Sequence, residues 1–359
     1  MSGAKGEGAA MRLLILGMNY APEPVGIAVY TTGLAEGLAA RGHAVEVVTA
    51  TPWYPAWRPM PGAPRGWSRR RERGVVVHRA PHPTPRRPRA VTRLLQQAAW
   101  SASAAPAALA AAARGPDAVL AIAPALVSAP LALAAARLAG APAWLHVQDF
   151  EAEAASSLLL SGPAFGALAL GYERRMLAAF DRVSTISPAM RRRLAEKGVP
   201  SARTSELRNW AALETVRPLD RPSRFRAEWG LEGRRVALYS GNLGAKQGLD
   251  LVIEAVRRLR GAPDLVDLDV VICGEGSELA RLEALAADLA TGGPRVLFRP
   301  LQPFARLGDL LGLADLHLLP QKGAAAELVL PSKLANMLAS GRPVLASAAP
   351  GSQLAAEVE

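Results

Sequence analysis

Two lysines, each beside a turn that could hold an anion, are the residues of this chain best placed to do chemistry. Lys246 stands in LYSGNLGAKQGLD (238–250), where an apolar run through Leu238 and Tyr239 meets Gly241, Asn242 and Gly244. Glycine lets the backbone take positive φ and come close to a ligand. A helix reads from about Gly248 to Leu259; its N-terminus carries roughly half a positive charge and free N–H donors, which favour an anion. Lys333 stands in AAAELVLPSKLANMLASGRPVLA (324–346), where Pro331 and Ser332 set a helix start and Ser332 offers a hydroxyl. A cation in a first helical turn is intrinsically unfavourable, which points to an anion lying beside it. The chemistry would be phosphate binding and stabilisation of growing negative charge. Both segments also fit ordinary corners with solvated lysines, and the residues alone leave that open.

Other polar groups fall at strand ends. In WLHVQDFE, His146 and Asp149 follow a strand, as does Glu151. His146 fits a ligand contact or a satisfied histidine at a strand edge; the loop acids are harder to explain structurally, because loops carry function more often than cores do. ICGEGSELARLEAL (272–285) repeats strand, glycine turn and helix, with Glu275 between Gly274 and Gly276 and Ser277 as a cap. After the first strand, Pro22–Gly26 occupies the place of a dinucleotide fingerprint, but only Gly17 and Gly26 are present, wrongly spaced. That argues against nicotinamide or flavin, while Gly26 still lets an anionic or hydroxyl-rich ligand approach the backbone. The five histidines show no metal-ligand spacing and no metal site is expected; the single Cys273 excludes a disulfide framework and fits a reducing compartment.

The elements that must position these residues alternate strand and helix throughout, so the fold class is α/β. Strands read at 11–20, 43–50, 74–78, 118–122, 143–147 and 182–186, and again at 236–239, 269–273, 296–298 and 316–319. Helices read at 27–41, 249–259, 277–290, 307–313 and 332–338, with another after Ser187 as N-cap and Pro188 at the first helical position. Two Rossmann-like doubly wound domains follow, facing across a cleft, with ligand at the carboxyl ends of the strands. The boundaries are a disordered leader over 1–10, an N-terminal domain over 11–206, a Pro- and charge-rich connection over 207–226 and a C-terminal domain over 227–359.

Net charge is +11, and ten arginines between Arg65 and Arg93 face one acid, Glu72. This stretch reads as an exposed, mobile loop. Anionic lipid attracts such a segment by about 1 kcal/mol per basic residue. Only Trp67 is interleaved with the arginines, and no stacking platform for single strands is visible, so lipid is preferred and no nucleic acid is expected. The apolar, alanine-rich stretch that follows, 94–113, could lie on a membrane surface. The uncharged run 118–136 is long enough to span a bilayer, but Pro124 and Pro130 divide it into strand, loop and short helix.

Taken together, YAPEPVGIAVYTTGLAEGLAARGHAVEVVTA, HVQDFE, RNWAALE, YSGNLGAKQGLDLVIEA, CGEGSE and LPSKLANMLASGRPVLA resemble glycosyltransferase family 4, within it the WcaI-like group of colanic-acid-type exopolysaccharide glycosyltransferases. The resemblance runs in order from Met11 to about Glu357. It implies a GT-B fold and a retaining, metal-independent transfer from a UDP- or GDP-linked sugar, with no cofactor, to a lipid-linked or other saccharide acceptor. The protein would work in the cytoplasm, at the inner face of the plasma membrane. Residue by residue, Lys246 matches the donor-diphosphate lysine, Gly26 the acceptor-side glycine loop and Asp149 the acidic position after its strand, with His146 a neighbouring sugar contact. Glu275 falls in the loop flanking the nucleotide, and Glu327, Ser332 and Lys333 in the segment that binds donor sugar and phosphates. Where the family carries a second glutamate, this chain has Asn336, a weaker partner for a ribose hydroxyl. Relatives continue past the equivalent of Glu359, so the C-terminal domain reads as truncated. The competing expectation is a non-catalytic basic protein, bound to membrane or nucleic acid, with a vestigial cleft.

Overall fold

In the computed structural model of the chain, residues 9–24, 26–85, 90–124, 126–150, 162–320, 331–348 and 352–358 are described, with backbone alone at 90, 162–165, 246 and 353. Two units separate, Met1–Arg208 and Asn209–Glu359.

In the first unit the runs of Leu, Ile and Val form parallel strands because both faces are covered. In chain order they are β1 (Arg12–Leu16), β2 (Ala44–Ala50), β3 (Ser68–Glu72), β4 (Val75–Ala80), β5 (Ala118–Ala123), β6 (Ala143–Val147), β7 (Arg182–Thr185) and β8 (Thr204–Glu206). The sheet order is β3-β4-β2-β1-β5-β6-β7-β8. All pairs are parallel except β3 with β4. Helices α1 (Ile27–Ala40), α2 (Ala90–Ala112), α3 (Ala129–Ala139), α4 (Gly162–Ala179) and α5 (Pro188–Glu196) connect them. The serine cap read from the sequence is present: Ser187 Oγ accepts from Met190 N at 3.2 Å, with Pro188 opening α5.

The arginine-rich stretch is not a simple loop. Arg69, Arg70 and Arg71 lie on β3, the antiparallel edge strand paired with β4. Arg73 (φ 44°) and Gly74 (φ 84°) both take the left-handed conformation that a tight hairpin turn needs. Exposed charge on an edge strand discourages pairing with another chain, so the arginines are compatible with a strand there. Arg79 is buried, with its guanidinium on Glu72 at 2.5 and 2.9 Å and on Ala21 O at 2.8 Å.

The apolar stretch 94–113 forms most of α2, with Leu94, Leu95 and Leu109 exposed and another stripe turned inward. On α2, Trp100, Ala104, Ala108, Ala111 and Ala112 recur at helical spacing and are buried in the unit's core. That inward stripe is therefore occupied by α3 and the sheet. Trp100 is fully buried, and truncating such a residue costs about 3–5 kcal/mol. Among the described residues no helix is long and apolar enough to cross a membrane.

The second unit holds β9 (Arg235–Ser240), β10 (Leu268–Cys273), β11 (Arg295–Arg299), β12 (Leu316–Leu319) and β13 (Val344–Ala346) in the parallel order β11-β10-β9-β12-β13. Its helices are α6 (Arg224–Trp229), α7 (Leu249–Leu259), α8 (Leu279–Leu285), α9 (Leu307–Gly312), α10 (Leu334–Ala339) and α11 (Gln353–Val358). Much of the segment read as a connection packs onto this unit. Val216 and Phe225 are fully buried, and a Cβ at Gly308, Gly312 or Gly341 would overlap Thr215, Leu219 or Pro218. At the amino end of β10, the buried carboxylate of Asp269 is held by Arg234 and Arg295 at 2.6–2.8 Å. Burial pushes its pKa up, and the two guanidiniums outweigh this, leaving it lowered.

Candidate active site

The carboxyl end of β9 is built by backbone packed on backbone. Gly241 N donates to Cys273 O at 2.9 Å, Leu243 N to Glu275 O at 2.8 Å and Glu278 N to Leu243 O at 3.0 Å. A Cβ on Gly274 would overlap Gly241 O, and one on Gly276 would overlap Leu243 O. These glycines are needed for the two turns to meet. The Glu275 side chain projects outward and is exposed. Ser277 is not the cap of α8, which starts at Leu279 with Glu278 in the cap position and no side-chain cap bond. The tie from Glu278 N to Leu243 O holds the chain there instead.

Lys246 lies on a 3₁₀ turn, Ala245–Gln247, and Gly248 (φ 66°) opens α7 without a side-chain cap. Of Lys246 the structure describes the backbone only. Glu327 and Glu151 lie outside the described residues.

Lys333 departs from the sequence expectation in an informative way. Helix α10 begins at Leu334, one residue later, so Lys333 occupies the cap position rather than the first turn, and Leu334 N closes on Pro331 O at 3.0 Å. Ser332 is exposed and Lys333 half-buried. Its Nζ sits 3.7 Å from the centroid of the Tyr239 ring, and Nζ and Cδ lie 3.6–3.7 Å from where a Cβ on Gly241 would be. Tyr239 is fully buried, and its hydroxyl donates to Asn242 O at 2.7 Å, so ring, turn and ammonium form one assembly. Among the described residues no carboxylate pairs with Lys333. Burial therefore pushes its pKa down to about 7, while the electron-rich ring face beneath it favours the charged form. The role of Tyr239 was missed in the sequence, where it only closed an apolar run.

Asn336 is elsewhere engaged: its Oδ1 accepts from Ala212 N at 2.8 Å, fixing the segment after Arg208. Its amide carbonyl thus already accepts one bond from the chain itself.

In the first unit, Gly26 (φ 67°) stands at the cap of α1, and a Cβ there would lie 3.7 Å from the Tyr54 ring. Next to it is a residue that sequence reasoning passed over. Glu23 is buried, its carboxyl accepting from Trp53 N (2.9 Å), Tyr54 N (3.1 Å) and Asn19 Nδ2 (2.8 Å). Burial raises its pKa and the three donors oppose that rise. A lone acid between two prolines after a strand was the available signal.

His146 is buried on β6, its Nδ1 2.9 Å from Ser184 Oγ on β7, which also accepts from Trp144 Nε1 at 2.8 Å. Burial pushes its pKa down to about 4, so the imidazole is neutral at pH 7. It joins two strands through Ser184. Asp149 is exposed and lines a small recess with Pro124, Leu126, Phe150 and Glu173. Glu173 pairs with Lys197, both side chains buried, and Lys197 Nζ lies 5.0 Å from the Phe150 ring centroid. Among the described residues no group of His, Cys, Asp and Glu gathers as metal ligands.

Comparison with known proteins gives the chain's family and fold. Residues 25–210 match the glycosyl transferase 4-like domain and residues 223–356 the glycosyl transferases group 1 domain. The chain is 39% identical over 340 residues to WcaI of Escherichia coli (strain K12), a protein assigned as a colanic acid biosynthesis glycosyl transferase; the match spans 92% of this chain and 82% of that protein. In fold it resembles HepE of Anabaena in complex with UDP and glucose (TM-score 0.65, 15% identity, 97% of this chain and 82% of that one). It also resembles WaaG, a glycosyltransferase involved in lipopolysaccharide biosynthesis (TM-score 0.66, 17% identity, 96% and 83%). A third likeness is to sucrose-phosphate synthase from Thermosynechococcus elongatus (TM-score 0.71, 17% identity, 96% and 82%). With its two Rossmann-like units of the GT-B class, the chain belongs to glycosyltransferase family 4, in the WcaI-like group, and is a hexosyltransferase.

Proposed function

We propose that the protein transfers a hexose, with retention and without a metal ion, from a UDP- or GDP-linked donor to a lipid-linked saccharide acceptor in exopolysaccharide or cell-envelope polysaccharide synthesis. Supporting the donor reading is one observation above the rest: a half-buried ammonium, Lys333, rests against the Gly241–Asn242 turn with no carboxylate partner among the described residues. The solved relative HepE was crystallised with UDP and with UDP-glucose, which supports a nucleotide-sugar donor here.

As the sugar–phosphate bond breaks, the sugar gains oxocarbenium-like character and negative charge grows on the leaving diphosphate. Lys333 and Lys246 would stabilise that charge, and positive groups fixed in place before reaction do so without reorganisation. Two cations supply what a divalent ion would otherwise provide. Lys246→Ala should leave the fold intact and lower turnover about a hundred- to a thousandfold. A thermal-shift screen over nucleotides first identifies the donor, because a ligand selective for the native state raises the melting temperature. Wild-type turnover by Lys246→Ala with that donor would remove Lys246 from the mechanism.

For the acceptor, the exposed Arg69, Arg70 and Arg71 of β3 support an approach to an anionic bilayer, which would place the enzyme at the inner membrane face. Replacing these three and Arg73 with glutamine should weaken co-sedimentation with phosphatidylglycerol vesicles; unchanged sedimentation would sink the idea.

A further inference from the structure

An ammonium taken out of water needs a counter-charge, and the groups around Lys333 do not include one among the described residues. From β9 it meets the Tyr239 ring, whose phenol is committed to Asn242 O and whose pKa burial raises. From the same turn it meets Gly241, which is neutral. Across the turn, Glu275 offers its backbone carbonyl to Leu243 N and keeps its carboxylate exposed. The neighbouring 3₁₀ turn brings a second basic residue, Lys246, rather than an acid. Lys197 in the first unit shows the alternative. It too lies over an aromatic ring, but it is paired with the buried carboxylate of Glu173.

We propose that donor binding beside Lys333 is coupled to proton uptake by its amine, an inference that rests on the donor reading above. Where the amine is neutral, the arriving diphosphate restores the missing charge partner. A proton from solvent then binds the lone pair of Nζ, and the resulting ammonium faces phosphate oxygen. No covalent bond to the ligand forms. The depressed proton affinity of Lys333 places this uptake in the range around neutral pH.

Calorimetric titration of the full chain with UDP-glucose and GDP-mannose, in two buffers of different ionisation heat, counts the protons. Both probes carry esterified diphosphates, which lack the group of a terminal phosphate that titrates near neutrality. The expected result is roughly one proton taken up per ligand at pH 8 and close to none at pH 6. Lys333→Arg, whose guanidinium stays charged, should still bind but take up no proton at either pH. Lys333→Met should bind roughly 10- to 100-fold more weakly. Binding by the wild type without uptake at pH 8, or equal uptake by Lys333→Arg, would overturn this inference and leave the donor reading standing. Wild-type binding of neither probe would overturn both.

Discussion

Lys197 and Lys333 are two solutions to one physical problem. Each places an amine over an aromatic ring, Phe150 at 5.0 Å and Tyr239 at 3.7 Å. In the first unit the charge is answered from within the chain, by Glu173. In the second no described carboxylate answers it. The turns after the first strand of each sheet repeat the contrast. Gly26 and Gly248 stand at helix caps with nearly the same φ, 67° and 66°, and neither helix has a side-chain cap bond. The first turn contains its own acid, Glu23, held by three N–H donors. The second contains none and is closed by backbone bonds and the Tyr239 hydroxyl. The difference teaches where an external anion is wanted: at the turn whose lysine no described carboxylate answers.

The largest effect that could break this comparison is expected from Glu173→Gln. It would remove the carboxylate paired with the buried Lys197 ammonium, and removing one partner of a buried pair costs about 3–5 kcal/mol. Urea unfolding should show a loss of that size; a loss under about 1 kcal/mol would mean that Lys197 is not held by Glu173 in solution.

A second expectation treats the two units alike. Burial holds His146 and His317 each at about 4, well below the ordinary histidine value of about 6.5. Between those values the unfolded chain binds protons that the folded chain refuses, so stability falls as pH drops from about 6.5 to 4. The loss should be on the order of 3 kcal/mol per histidine. Melting temperatures recorded over that range for the wild type and for His146→Gln and His317→Gln test it. A wild-type slope no steeper than that of the variants would contradict it.

The smallest effect, and the one that sharpens the comparison most, is on Lys333→Met without ligand. No described pair is broken and a desolvated charge is removed, so the variant should be more stable than the wild type at pH 6 by about 1–2 kcal/mol. Above pH 7 folded Lys333 sheds its proton while the unfolded chain keeps one, so wild-type stability rises towards pH 10 and the variant's advantage shrinks. A large loss of stability at pH 6 would show that Lys333 has an internal partner after all.

Much of the architecture was legible because it is written in local pattern. Unbroken apolar runs marked the buried parallel strands, and Gly241 with Gly244 marked the turn after β9. Strand β3 was hidden, because three consecutive arginines show no alternation and an edge strand demands none. The site was legible in its pieces and not in its assembly. Lys333 and the turn were both visible, but the ring that seats the ammonium comes from Tyr239, on a distant strand that ends in an apolar run. Glu23 depends on donors 30 and 31 residues away. Asn336 reads as a free amide until Ala212 N is found on its oxygen. Propensity and spacing register neighbours along the chain, whereas these contacts are made by the fold.

The central claim is that a diphosphate binds against the turn after β9. Hydrogen exchange of backbone amides, followed by mass spectrometry with and without UDP or GDP, tests it most directly. The account predicts slower exchange at 241–248 and 331–336 with at least one of the two nucleotides, and no such protection in Lys333→Met at the same concentration. Protection confined to other segments, or identical protection in the variant, would contradict it.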